Sequence, residues 1–127
     1  MSYYFNKTLH LSFDDAIARV TEALKQQGFG VLTDIDVKAT MKKKLGVDFR
    51  NYRILGACNP PFAHRALELE DKIGTMLPCN VIVQQIGDAV EVAAVDPLAS
   101  MAGVNNPALG EVGAQVRAKL QAVIESL

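Results

Sequence analysis

The chain has no tryptophan, only two cysteines and two histidines, and no apolar run near the ~20 residues that a bilayer-spanning helix requires. That last absence excludes a helical membrane span. Cys58 and Cys79 fit no C-x-x-C spacing, which excludes a thioredoxin-like pair or a zinc ribbon. An excess of one charge is missing too: 13 Lys and Arg stand against 14 Asp and Glu, for a net charge of −1. Such a balance gives no bulk attraction for nucleic acid or an anionic membrane. The glycines form neither a dinucleotide-binding nor a P-loop pattern, and no G-x-S-x-G or HExxH motif occurs. The first seven residues, Met1 to Lys7, lack the basic and then apolar stretch of a secretory leader. The expected location is therefore the cytoplasm, with both thiols reduced.

What the chain does have is 127 residues, half of them hydrophobic, enough for one domain with a core that needs no staples. Tyr3 to Leu9 alternates as a strand. Ser12 then caps a helix whose stripe is Phe13, Ile17, Val20 and Leu24, with Gly28 as its left-handed stop. Val31 to Lys38 reads as a second strand, with Val31, Thr33, Ile35 and Val37 on one face and Leu32, Asp34, Asp36 and Lys38 on the other. Thr40 is the expected cap of a short helical turn that ends at Gly46, and Tyr52 to Cys58 is a third strand.

Asn59-Pro60-Pro61 has the cap-then-proline form of a helix start. The expected helix carries Phe62, Ala66, Leu69, Ile73 and Met76 at spacings of four, three, four and three. Val81 to Ile86 and Ala89 to Val95 are two strands joined by a Gly87-Asp88 hairpin turn. Asn106-Pro107 opens a last helix with the stripe Leu109, Val112, Val116, Leu120, Val123 and Leu127. The order β-α-β-β-α-β-β-α predicts an α+β two-layer sandwich, a mainly antiparallel sheet with helices on one face.

Several blocks together resemble one prokaryotic family. They are Gly28-Phe29-Gly30-Val31-Leu32, Ile35 to Thr40, Tyr52 to Pro61, Ala63 to Leu67, Leu77 to Val81 and Val95-Asp96-Pro97. The family is the one catalogued as domain of unknown function 302. The resemblance implies a curved antiparallel sheet under helices, with the topology of the TATA-binding protein, and a dimeric state. It implies no reaction, cofactor or partner, and the topology alone implies no DNA binding.

The candidate ligand-binding residues are Lys38, Cys58, Asn59, Cys79, Asn80 and Asp96; the two thiols are the candidates for catalysis, and no metal set or cofactor is expected. Cys58 ends a strand just before a helix, where free N–H groups stabilise a thiolate, so it is expected to be the more acidic and reactive thiol. The plainer reading makes it a small buried hydrophobe. The ends of the third, fourth and fifth strands are expected to form one concave site holding Cys58, Asn59, Cys79, Asn80 and Asp96. Lys38 is a candidate anion contact beside Asp36, against the simpler reading of a solvated charged face. His64, opposite its helix stripe, faces solvent. Asp96 before Pro97 reads first as a turn starter.

Two functions follow as expectations. The first is a homodimeric module that binds a small molecule or regulates, with Tyr4 and Leu32 in an apolar patch covered by the second copy. The alternative is a thiol-dependent redox or sulfur-handling protein in which Cys58 acts and Cys79 resolves.

Overall fold

The computed structural model describes residues 2–127. Its elements run β1 (Tyr4–Leu9), α1 (Phe13–Gln26), β2 (Gly30–Asp36), α2 (Val37–Leu45), β3 (Tyr52–Cys58), α3 (Pro60–Leu69), a 3₁₀ turn (Asp71–Met76), β4 (Cys79–Ile86), β5 (Ala89–Val95), α4 (Pro97–Ser100) and α5 (Leu109–Glu125). The five strands make one sheet in the order β1-β5-β4-β3-β2, every neighbouring pair antiparallel. The fold is α+β, with α1 and α5 laid on one face of the sheet.

Local chemistry accounts for most of these boundaries. Ser12 Oγ accepts the Asp15 N–H at 3.1 Å, which satisfies one unpaired donor at the start of α1. Gly28, at φ 86°, takes the left-handed position just past its end. Gly87 has positive φ and Asp88 does not, so the β4–β5 hairpin turn is of type II′. Inward residues from the sheet, among them Leu55, Val81, Val83, Val90 and Val92, meet Val20 and Leu24 of α1 and Leu120 and Val123 of α5 in a single core.

Several expectations change. The second strand stops at Asp36, whose carboxylate accepts the Ala39 N–H at 2.9 Å and so caps α2. Thr40, expected as that cap, lies a turn inside and donates to the Asp36 carbonyl at 2.7 Å. The face assigned to Val31, Thr33, Ile35 and Val37 is split by a bulge: Val31 pairs with Ala57 but Thr33 pairs with Gly56, leaving Leu32 as the extra residue. One inserted residue moves every later side chain to the opposite face, so only Val31 keeps the inward side. The helix from Asn59 ends at Leu69, and buried Ile73 arrives on the 3₁₀ turn instead. In the last helix, Asn106 Oδ1 accepts the Ala108 N–H at 3.1 Å while its amide nitrogen donates to the Leu69 carbonyl, so regular helix begins only at Leu109. Tyr4 and Leu32 lie on the two opposite edge strands and form no common patch.

Candidate functional site

Antiparallel register brings five strand ends to one end of the sheet: Gly30 pairs with Cys58, Ala57 with Cys79, and Tyr4 with Val95. There α3 leaves the sheet. Only Ala66 of that helix is buried, and the residues facing across the gap are small: Ala57, Ala63, Ala66 and Gly113. Small side chains on opposed walls leave space that larger ones would fill. The result is a cavity of about 360 Å³ walled by β3, α3, the 3₁₀ turn and α5, with Phe29 and Leu32 closing one side.

Cys58, Asn59 and Cys79 all line this cavity. Cys79 is buried, and loss of water pushes its thiol up from 9.0 to about 11, with a further push from Cys58. It stands as a neutral, poorly nucleophilic thiol at neutral pH. Cys58 is half-buried, and both cysteines are free.

The helix terminus beside Cys58 differs from the sequence expectation. Pro60 and Pro61 have no N–H, and the Ala63 N–H is already bonded to the Asn59 carbonyl at 2.9 Å. Of the first four helical positions only Phe62 keeps a free donor, so the array of N–H groups expected to stabilise a Cys58 thiolate is absent. Asn59 does not cap α3 with its side chain either. Its Nδ2 donates to the Gln27 carbonyl at 3.1 Å and ties the β3–α3 junction to the end of α1. A Cβ on Gly28 would sit 3.2 Å from that nitrogen, so the glycine there also makes room for the amide.

The other expected members lie elsewhere. Asn80 alternates away from Cys79 onto the open face of the sheet, where it lines a separate groove of about 380 Å³ with Tyr3, Tyr4, Tyr52, Gln84 and Glu91. Asp96 caps α4 through the Leu98 N–H at 3.0 Å, and its carboxylate takes Arg117 Nε at 3.1 and 3.2 Å. The Arg117 guanidinium lies over the Phe5 ring at 5.0 Å, so Asp96 holds α5 against β1. Lys38 sits on α2 at the far end of the sheet, 3.4 Å from Asn51 Oδ1. The single concave site of five residues therefore reduces to three.

Sequence reasoning missed the apolar partners that shape the cavity, Phe62, Ala63, Leu77, Val112 and Gly113. The signal available was the cluster of small residues Ala57, Ala63 and Ala66 flanking the Cys-Asn-Pro-Pro corner. Arg53 and Asp34 form the tightest ion pair, at 2.5 and 2.7 Å, on the inward side of the β2 edge. Arg53 holds the Asp34 carboxyl below the usual carboxylate range. His64 is exposed and 3.5 Å from Glu68, as its place on the helix wheel implies. Among the described residues no cluster of His, Cys, Asp or Glu could hold a metal ion, and no helix is long and apolar enough to cross a membrane.

The family model for "Domain of unknown function DUF302" matches residues 5–127. The chain belongs to the DUF302 family. This DUF302 domain is similar to a crystal structure of an uncharacterised conserved DUF302 protein from Bacillus stearothermophilus, at 31% identity and a TM-score of 0.91, with 98% of each chain covered. Among curated proteins there is no match.

Proposed function

We propose that this protein is a homodimeric small-molecule-binding module whose site is the cavity between α3, α5 and the end of the sheet. The observation that supports it is the cavity itself: about 360 Å³ of space within the size range of ligand pockets, lined by apolar side chains beside a few polar groups. The open sheet face supports the dimer. It presents Ile35, Ile54, Ile82 and Val95 among Tyr4, Asn6, Gln84 and Glu91, and no element among the described residues covers it. Native mass spectrometry of freshly purified protein reads both parts. A dimer mass with a small non-covalent adduct per subunit is the expected result. A bare monomer that stays bare after incubation with neutral apolar probes would refute the reading.

A second reading, thiol chemistry with Cys58 as nucleophile and Cys79 as resolving thiol, draws support from the wall they share. The raised Cys79 pKa weighs against it, because a resolving thiol must ionise to attack. Iodoacetamide labelling against pH, in Cys58→Ser and Cys79→Ser proteins separately, distinguishes the two readings.

A further inference from the structure

The walls of the cavity carry no charged side chain. The polar residues among those that line it are Thr33, Cys58, Asn59 and Cys79. Of these, Asn59 is more than nine-tenths buried and tightly placed. One of its amide hydrogens is committed to Gln27, which fixes the nitrogen on that side. Its Oδ1 accepts no hydrogen bond among the described residues, and since no fully buried side-chain oxygen there lacks a partner, it is an orientated acceptor still open to water.

An ion taken into such a cavity would lose its water and meet no opposite charge on the walls, the nearest cation, Lys119, lying 5.9 Å from the Phe62 ring centre. The helix start, a position that attracts anions in other helices, is muted as well, since Pro60 and Pro61 leave few free N–H groups there. A neutral molecule meets neither penalty. A donor on that molecule would replace the water at this acceptor, and a ligand that displaces the water without supplying a donor leaves the acceptor buried and unpaired, which discriminates strongly against it.

We propose that the cavity takes a neutral, largely apolar molecule bearing one hydrogen-bond donor, read by Asn59 Oδ1, and rejects charged analogues of the same shape. This rests on the cavity being the ligand site proposed above. A matched set of probes tests it: N-phenyl-1-naphthylamine, neutral with one N–H; its N-methyl derivative, which lacks the donor; and 1-anilinonaphthalene-8-sulfonate, the same ring system with a fixed negative charge. Fluorescence titration of the full chain should show the neutral amine binding at least about 30-fold more tightly than the sulfonate, and about 10-fold more tightly than the N-methyl form.

Two cavity-filling variants locate the binding. Gly74→Leu adds a side chain where an added Cβ meets only Leu67, at 3.9 Å, and Ala63→Phe fills from α3. Whichever of them folds by circular dichroism should lose the neutral probe; if neither folds, alkylation of Cys58 with N-ethylmaleimide, slowed by saturating neutral probe, locates it instead. If no probe binds, or binding survives filling, the cavity is not a ligand site and both proposals fall. If the sulfonate binds in the cavity as well as the amine does, the neutral class is overturned while the ligand site stands. Equal binding of the N-methyl form overturns the role of Asn59 alone.

Discussion

Cys79 makes the stability of the domain depend on pH in a way that can be isolated. Its thiol rises from 9.0 to about 11 because the folded chain buries it between β3 and α5 and places Cys58 nearby. A group whose proton is held more tightly when folded contributes stability that is complete below the unfolded pKa and is lost as pH rises through the folded one. At 1.36 kcal/mol per unit, two units amount to about 2.7 kcal/mol in all, of which roughly 2 kcal/mol is gone by pH 11. The perturbation is Cys79→Ala, and the assay is urea unfolding under reductant at intervals between pH 8 and 11. Replacing the thiol by a methyl group adds an offset that does not vary with pH. The other side chains are common to both proteins, and their contributions largely cancel in the difference. The wild-type protein should therefore lose about 2 kcal/mol more than the variant across this interval. Curves that remain parallel within about 0.5 kcal/mol would refute the burial argument. They would also reopen Cys79 as a thiol able to ionise in place.

Two further outcomes follow from close contacts. Gly56→Ala places a Cβ 2.1 Å from Thr33 Oγ1 and 2.7 Å from Pro78 Cγ, and the cost of such overpacking is about 1–3 kcal/mol. With ~2.1 cal/mol/K of unfolding entropy per residue, Tm should fall by roughly 4–11 °C. Adding Thr33→Ala should restore part of this, and additive losses would show that the two sites do not touch. Asp96→Ala removes the α4 cap and leaves Arg117 unpaired, so chemical denaturation should show a loss of about 2–4 kcal/mol. Arg117→Met in the same background should recover some of it, and a loss below 1 kcal/mol would contradict the structural role of Asp96.

The regular elements were legible where one residue type forces one conformation. Ser12, Gly28, Gly46 and the Gly87-Asp88 turn each fixed a boundary through side-chain capping or positive φ. What stayed hidden depended on register and on which group a polar side chain chose. Nothing in Val31-Leu32-Thr33 announces a bulge, because all three residues suit a strand and the extra one is defined only by its partners Ala57 and Gly56. Asp36 and Thr40 are both sound caps, and the helix starts from the earlier of them. Asn59 was read as a cap on its own helix, while the vacant position of Gly28 drew its amide to Gln27. The concave site failed at Asn80 for a simpler reason: successive strand residues face opposite ways, and the strand begins at Cys79, two residues before the expected start.

The place of β1 has a consequence for the order in which the molecule is made. It pairs only with β5, and 85 residues separate Asn6 from its neighbour Glu91. At a synthesis rate of ~5–20 residues per second, the first strand waits about 4–17 s for its only partner to be made, and longer for that partner to leave the ribosome. Throughout that interval Tyr4 and Phe5 remain without their strand partners. The same separation makes that sheet edge the longest loop closed by any strand pairing. The growing polypeptide thus carries an aromatic strand in search of a mate, and β1 is among the last elements to find its place.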